Sequence, residues 1–242
     1  MRIYSNGMEV VSETVREVFS RGEIVFDKTV QGKVVKKDEG YEQREILNYS
    51  YKLLDLSDSS LDQGCKEARQ IFDKSYISLT TATKWFVDFF SDENPDSWWK
   101  DSPYLTKYWE NFGIEKNGRM SYCYGLRVKD QIPLVIKKLK ANQQARGAVI
   151  SVWDRNDMQL SLESRRVPCT LDYQFLIRDD ELSMVISQRS CDLVHFFTLD
   201  FCKAALLGRY IAKEVGVNMG YLVHNLCSLH AYRKDVPERY KF

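Results

Sequence analysis

The stretch Val167–Asp200, VPCTLDYQFLIRDDELSMVISQRSCDLVHFFTLD, decides the fold. Apolar side chains alternate with others in two runs, a pattern typical of strands that bury one face. Asp179-Asp180 separates the two runs, so the pattern predicts a β-hairpin. Because an antiparallel hairpin returns the chain to its starting point, we expect Arg189 and Cys169 to lie close together at one end of the same sheet.

Cys169 is a candidate nucleophile because of this expected neighbour. A guanidinium lowers the pKa of an adjacent thiol, and the thiolate is the form that reacts near neutral pH. A cysteine near a strand is more commonly a small buried apolar residue. Spacing alone therefore leaves both interpretations open.

A set of motifs with fixed intervals surrounds this cysteine. They are Pro168-Cys169, Gln188-Arg189-Ser190-Cys191-Asp192, Asp200 eight residues further on, and His230-Ala231-Tyr232, with residues 145–153, Tyr124-Gly125 and Trp109 upstream. The combination resembles the thymidylate synthase and pyrimidine nucleotide hydroxymethylase family. The resemblance is close over the second half of the chain and sparse over the first half.

The resemblance implies an α+β fold in one domain that spans residues 1–242. This domain has a large mixed β-sheet flanked by helices, and a homodimer forms through the sheet. A chain of 242 residues with 44% hydrophobic content is long enough to bury one substantial core, in agreement with a single domain. In the family, two adjacent arginines reach the phosphate bound by the partner subunit. Arg146 matches the first and Gly147 replaces the second, so we expect a weakened phosphate site.

Charge and composition exclude several kinds of partner. A net charge of +1 gives no bulk attraction to nucleic acid or a membrane surface. The six cysteines have no CxxC spacing and the three histidines form no ligand pattern, so we expect no metal site. The sequence has neither a signal peptide nor a long apolar run. We therefore expect a cytoplasmic protein with reduced thiols.

Residues 80–90 predict a helix rich in aromatic side chains. The resemblance implies a catalytic glutamate in this helix, but Trp85 takes the matching position and the helix has no glutamate. Asp88 is the nearest acid and is our candidate for the catalytic role. Otherwise an acid from elsewhere substitutes, or the chemistry is altered or lost.

Asp200 indicates which base the site binds. Uracil presents an acceptor at O4 and a donor at N3, which an asparagine amide satisfies, whereas the N4 donor of cytosine requires an acceptor. In the family, asparagine is usual for uracil nucleotides and aspartate is found in the deoxycytidylate hydroxymethylases. Asp200 therefore predicts a cytosine nucleotide. It is also a good helix N-cap, for a helix running to Glu214, and the two roles are compatible.

The resemblance also implies roles for the remaining candidate residues. Cys169 is the nucleophile and Tyr124 assists proton movement. Lys28, Arg189 and Ser190, with Arg146 across the dimer, are assigned to the nucleotide phosphate. Gln188 is assigned to the substrate site, and His230 and Tyr232 are assigned to the sugar hydroxyl. Asp192 is assigned to the substrate and the folate, and Trp109 is placed near the folate.

The implied reaction is one-carbon transfer from 5,10-methylenetetrahydrofolate to C5 of a pyrimidine nucleotide, after Cys169 adds to C6. Asp200 favours hydroxymethylation of dCMP or CMP. The chain ends ten residues after Tyr232, and a tail shorter than the family's lid is expected to admit water. Two alternatives stay open. One is C5 methylation of the thymidylate synthase type, and the other is a nucleotide-binding homologue with impaired catalysis.

Overall fold

The structure is a computed structural model that describes residues 1–30, 33–72, 77–87, 90, 122, 124–163 and 165–242. The helices lie mainly on one side of a large sheet. The described helices are α1 (Gly7–Arg21), α2 (Asp58–Ile71), α3 (Leu79–Val87), α4 (Tyr124–Val128), α5 (Ile132–Ala141), α6 (Asp157–Leu162) and α7 (Phe197–Val215), with short 3-10 turns at Lys37–Glu39, Arg233–Asp235 and Glu238–Tyr240.

The sheet mixes parallel and antiparallel pairs, as predicted. Its order is β1-β5-β10-β8-β7-β6, with β2 paired to β5 and β9 paired to β10. Strand β10 runs parallel to β8 and antiparallel to β5. The strands are β1 (Arg2–Tyr4), β2 (Glu23–Phe26), β5 (Glu42–Leu53), β6 (Ala148–Ser151), β7 (Thr170–Arg178), β8 (Glu181–Gln188), β9 (Cys191–Asp192) and β10 (Asn218–Tyr232), with β3 (Thr29–Val30) and β4 (Lys33–Val34) forming a separate pair.

The predicted hairpin is confirmed as β7 and β8. Asp179 and Asp180 both have positive φ, 52° and 60°, which a two-residue turn of type I′ requires and which Asp tolerates better than most residues. In the register Thr170 lies opposite Gln188. The chain therefore returns to its starting point, and the backbone N–H of Arg189 donates to the carbonyl of Cys169 at 2.9 Å.

Helix α7 is the buried centre of the fold. It packs on β8 and β10 and is covered by α2, α3 and α5. It ends at Gly216, whose φ of 86° suits glycine. The N-cap is Phe196, and Asp200 lies inside the first turn with its backbone N–H bonded to the Phe196 carbonyl at 2.8 Å. The alternative that Asp200 caps this helix is therefore wrong, because the helix begins earlier than the sequence suggested.

The other predicted helices agree with the structure to within a few residues. The one-sided apolar spacing of residues 8–21 and 130–140 also predicts helices, and these are α1 and α5. The one expected at 80–90 corresponds to α3. None of the helices in the described ranges has the length and hydropathy needed to cross a bilayer.

Candidate active site

A cavity of about 820 Å³ opens where β7 begins and β8 ends. This volume is in the usual range for a small-molecule site, about 300–1,000 Å³. The structure brings most of the sequence-predicted residues to its wall. Those that line it are Lys28, Tyr124, Cys169, Arg189, Ser190, Asp192, Asp200, His230 and Tyr232.

Strand pairing explains why distant residues meet here. The short strand β9 pairs in parallel with the end of β10, which places His230 beside Asp192. On the other side of β10, His230 pairs with Glu45 of β5. Strand β2 pairs with the start of β5, so the loop that carries Lys28 emerges at the same end of the sheet.

Arg189 is held against the loop that carries Cys169. Its Nε donates to the Pro168 carbonyl at 2.8 Å and its Nη2 donates to the Val167 carbonyl at 3.2 Å. The same Nη2 lies 3.9 Å from the Cys169 Sγ. The expected neighbourhood of thiol and guanidinium is therefore present, with the guanidinium anchored by backbone oxygens.

The expectation that the pKa of Cys169 is lowered is wrong. Burial raises the pKa of the thiol above its ordinary value, and this effect outweighs the opposing influence of Arg189 and Arg166. Cys169 is half-buried at the pocket wall. The arginines thus limit the cost of forming the thiolate without making it the resting form.

Tyr124 supports the backbone around the cysteine. Its hydroxyl oxygen accepts from the backbone N–H groups of Cys169, at 3.1 Å, and Thr170, at 3.3 Å. Burial raises the pKa of Tyr124 well above its ordinary value, so the side chain is a neutral phenol. Its own proton is still available to donate, as the predicted role in proton movement requires.

Asp200 is a buried carboxylate on the pocket wall, 5% exposed. Its Oδ2 accepts from Gln188 Nε2 at 2.8 Å, and the Cys191 thiol lies 3.7 Å from the same oxygen. Burial raises the pKa of Asp200, while Lys203, Gln188 and Cys191 act in the opposite direction. Gln188, predicted as a substrate residue, does not line the cavity and instead holds Asp200.

Gln188 is itself oriented by residues on two other strands. The Tyr51 hydroxyl lies 3.0 Å from His224 Nδ1, and His224 Nε2 lies 2.8 Å from Gln188 Oε1. Burial lowers the pKa of His224 to about 3, so the ring is neutral. In the arrangement with Gln188 Nε2 donating to Asp200, His224 donates through Nε2 and accepts from Tyr51 through Nδ1.

Asp192 has one satisfied and one available oxygen. Its Oδ1 accepts from the backbone N–H groups of Val194, at 2.9 Å, and His195, at 3.1 Å. Its Oδ2 is buried and has no hydrogen-bond partner among the described residues. An acceptor of this kind, on a pocket wall, is suited to a donor group on a ligand.

His195 and Asp235 form a buried polar contact near Asp192, with 3.1 Å between His195 Nε2 and Asp235 Oδ2. Potential metal-ligating atoms of Asp192, His195 and Asp235 lie within 4.8 Å of one another. Among the described residues, this cluster therefore has a spacing that fits a metal ion. Lys234 also pairs with Asp235, at 2.8 Å. Because Lys234 lies beside Asp235, hydrogen bonding and charge pairing explain this cluster without a metal ion.

The wall that faces the expected sugar and phosphate is polar. His230 and Tyr232 are both buried, and their rings meet edge to face at 5.2 Å. Burial lowers the pKa of His230. Asp27 stabilises the loop that carries Lys28, because its Oδ1 accepts hydrogen bonds from the backbone N–H and the hydroxyl of Thr29, at 2.8 and 3.0 Å.

Arg146 is a candidate residue that does not reach the cavity of its own chain. It is exposed, precedes β6, and is absent from the wall of the cavity in its own chain. Its backbone carbonyl accepts from Gln174 Nε2 at 3.1 Å. The predicted action across a dimer stays a prediction.

A family model described as thymidylate synthase matches residues 75–241. The chain belongs to the thymidylate synthase family. Membership confirms the predicted thymidylate synthase-like α+β fold. The match covers the site residues discussed above except Lys28 with its loop and Glu45 and Tyr51 of β5.

The curated relatives are similar over about half of this chain. A putative thymidylate synthase of Methanocaldococcus jannaschii is 36% identical over 131 residues, which are 50% of this chain and 59% of the relative. The bifunctional dihydrofolate reductase-thymidylate synthase of Leishmania major is 35% identical over 130 residues, 53% of this chain and 24% of the relative. The thymidylate synthase of Mycoplasma genitalium is 28% identical over 136 residues, 56% of this chain and 42% of the relative. The chain thus spans about a quarter to three fifths of these relatives.

Sequence reasoning missed three cations at this site. Arg165 and Arg166 line the cavity just ahead of Cys169, and Arg166 lies over the Tyr122 ring at 5.0 Å. Lys203 lies behind Asp200, with 3.6 Å between Nζ and Oδ1. Two signals in the sequence could have indicated them. Arg165-Arg166 stands close to Pro168-Cys169, and Lys203 follows Asp200 by three residues on the same helical face.

Two predicted residues lie outside the described part of the chain. They are Asp88, the candidate for the missing glutamate, and Trp109, the candidate folate neighbour. Trp85, which takes the glutamate's position by resemblance, is buried and lines the cavity. Its ring meets that of Tyr124 edge to face at 6.2 Å.

Two features of the cavity wall match chemical groups of a reduced folate. The available Oδ2 of Asp192 is an acceptor for the amino and ring N–H groups that a pterin presents. Arg165 and Arg166 add positive charge to the same wall, which suits a folate carboxylate.

Proposed function

We propose that this chain transfers a one-carbon unit from 5,10-methylenetetrahydrofolate to C5 of a cytosine nucleotide monophosphate, dCMP or CMP, to give a hydroxymethylated base. The observation that carries the choice of base is Asp200, a buried carboxylate on the cavity wall. The family membership and the Cys169–Arg189 contact support the class of reaction.

Asp200 favours cytosine because its carboxylate accepts hydrogen bonds and donates none. Gln188 occupies one of its roughly four lone-pair positions, so others can accept from N4 of cytosine. Against uracil the carboxylate would face the O4 acceptor, and neither group would find a donor. A buried acceptor left unmatched costs about 1–3 kcal/mol, or roughly 5- to 150-fold in affinity.

Cys169 starts the chemistry in this proposal. Its thiolate adds to C6 of the base, and the electron pair of the C5–C6 double bond then makes C5 a carbon nucleophile. The folate, when bound, supplies the one-carbon unit at the oxidation level of formaldehyde. Arg189 and Arg166 stabilise the thiolate when Cys169 attacks and again when it leaves. Tyr124 keeps the cysteine backbone in place and has a proton to share.

The phosphate is assigned to Arg189, Ser190 and Lys28 from one subunit and to Arg146 of the partner subunit. A homodimer through the sheet is supported by the sheet face that the described helices leave uncovered. Neighbouring β7, β8 and β10 carry half-exposed apolar side chains on it, namely Leu176, Val185 and Val223.

A second candidate is methylation of a uracil nucleotide. The relatives reported above carry the name thymidylate synthase, and this observation favours it. Asp200 argues against it, because methylation of that kind would require asparagine-like recognition by a carboxylate.

Product analysis separates the two candidates. The protein is incubated with 5,10-methylenetetrahydrofolate and, separately, dCMP, CMP or dUMP, and the nucleotides are resolved by mass spectrometry. We expect a cytosine nucleotide that gains CH2O, no product from Cys169→Ser, and unchanged product from Cys227→Ser, whose thiol is exposed and away from the cavity. A methylated uracil nucleotide without hydroxymethylated cytosine would overturn the proposal.

A further inference from the structure

Lys203 is a fully buried lysine that does not reach the cavity. Its exposure is 0%, and it is absent from the cavity wall although Asp200, Trp85 and Tyr124 all line it. Its ammonium lies 3.6 Å from Asp200 Oδ1. It therefore touches the back of the base-reading carboxylate and cannot itself contact a substrate.

Two aromatic rings also lie against the ammonium. Lys203 Nζ lies 3.3 Å from the centre of the Trp85 ring and 4.4 Å from that of Tyr124. The faces of such rings attract a cation, most strongly when water is excluded. The rings and the carboxylate together favour the charged form of this lysine despite its burial.

The thiols, the phenols and the histidine around Asp200 are neutral near pH 7. Burial raises the pKa of the surrounding thiols and phenols, and burial lowers the pKa of His224 to about 3. Among the described residues in direct contact with Asp200, Lys203 is the positively charged one. The neutral acids on the neighbouring elements are Tyr51, Tyr124, Cys169, Tyr173 and Cys191.

Asp200 can take two forms, and they read bases differently. As a carboxylate it only accepts, which matches the N4 donor of cytosine. Once protonated it offers a donor and an acceptor and can pair with either base. The hydrogen bonds through Gln188 and His224 can also run in either direction. If the Gln188 amide is reversed, its oxygen faces Asp200 and accepts a hydrogen bond from the protonated form. Burial favours the protonated form, and a positive charge at Oδ1 favours the carboxylate.

We propose that Lys203 is a positioning residue that keeps Asp200 in its acceptor-only form and so sets the discrimination between cytosine and uracil nucleotides. This inference rests on the proposed function, since it names a determinant of the same base specificity.

The test compares binding and turnover of dCMP and dUMP in the full-length protein. Lys203→Met removes the charge, Lys203→Arg keeps it, and Lys213→Met removes an exposed lysine from the far end of the same helix. We expect Lys203→Met to lower the dCMP-to-dUMP selectivity at least about tenfold, because a protonated Asp200 no longer leaves O4 of uracil unmatched. Lys203→Arg and Lys213→Met should retain the selectivity.

A pH profile distinguishes this role from packing. As pH falls, Asp200 becomes protonated and the cytosine preference of the wild type should decline. The Lys203 charge lowers the pKa of Asp200, so without it the decline should begin at a higher pH. If Lys203→Met does not fold, Lys203→Gln takes its place. Because Lys203→Gln keeps a hydrogen-bond donor, its pH profile should move in the same direction but by a smaller amount.

The effect must also disappear when the carboxylate is removed. In the Asp200→Asn background, Lys203→Met should change selectivity by less than about threefold, because the pair interaction is gone. A wild type that prefers dCMP, with Lys203→Met and Lys203→Gln unchanged in ratio and pH profile, would refute the role of Lys203 alone. A wild type that shows no preference for dCMP would overturn the proposed function and this inference together.

Discussion

Replacing Asp200 with asparagine should reverse the base preference of the site. The carboxylate accepts a 2.8 Å bond from Gln188 and stands 3.6 Å from Lys203. Asp200→Asn keeps the shape but exchanges one acceptor oxygen for an NH2 donor. Cytosine then loses an acceptor for N4, and uracil gains a donor for O4.

The size of the reversal follows from two hydrogen bonds. A hydrogen bond to a charged group contributes about 1.5–3 kcal/mol, which is roughly 10- to 150-fold in kcat/KM for the cytosine nucleotide. A comparable gain for uracil would move the ratio of the two substrates by about 10² to 10⁴. Buried polar sites are capable of discrimination on this scale.

The assay is competition between dCMP and dUMP in one reaction, which gives the ratio of kcat/KM directly. Asp62→Asn is the matched control, because Asp62 forms a surface pair with Lys66 on α2 away from the cavity. Its ratio should equal that of the wild type. A ratio for Asp200→Asn within about threefold of the wild type would show that Asp200 does not read the base.

Three further predictions concern the dimer, the thiol and the buried histidine. Mixing Arg146→Gln with Cys169→Ser subunits should restore about a quarter of wild-type activity, since half of the dimers then hold one intact site, whereas no recovery would place Arg146 outside the partner's site. Arg166→Gln should slow alkylation of Cys169 by iodoacetamide at fixed pH and move its pH dependence upward, because Arg166 lowers the pKa of the thiol, while exposed Arg155→Gln should have no effect. His224 is buried and neutral with its pKa lowered to about 3, so the unfolded state binds more protons and the free energy of unfolding should fall as pH drops from about 6.5 toward 3. His224→Gln should make that fall smaller in urea titrations at several pH values, and an equal fall would contradict the assignment.

The local pattern of the chain was sufficient to predict the hairpin. Alternating apolar residues gave β7 and β8, and the Asp179-Asp180 pair gave the turn, because the side-chain period of a strand is two and the turn needs positive φ. From these followed the contact between Cys169 and Arg189. The intervals between motifs then placed the remaining pocket residues at one end of the sheet.

Effects that depend on burial and on long-range register were not accessible in this way. The contact between Tyr51 and His224 joins residues 173 positions apart and exists only because β5 pairs with β10. The net pKa of Cys169 depends on desolvation, which a neighbouring arginine in the sequence does not reveal. Lys203 was different, since its spacing from Asp200 was visible but a lysine in a helix is ordinarily taken for an exposed residue.

The most direct measurement of the central claim is exchange of the C5 hydrogen of a bound nucleotide with solvent. Thiol addition at C6 makes C5 basic, so exchange in D2O, followed as loss of the H5 signal by NMR, reports the adduct without a folate. We predict exchange with dCMP, much slower exchange with dUMP, and none with Cys169→Ser. Exchange that survives in Cys169→Ser, or that occurs with dUMP and not with dCMP, would contradict the account.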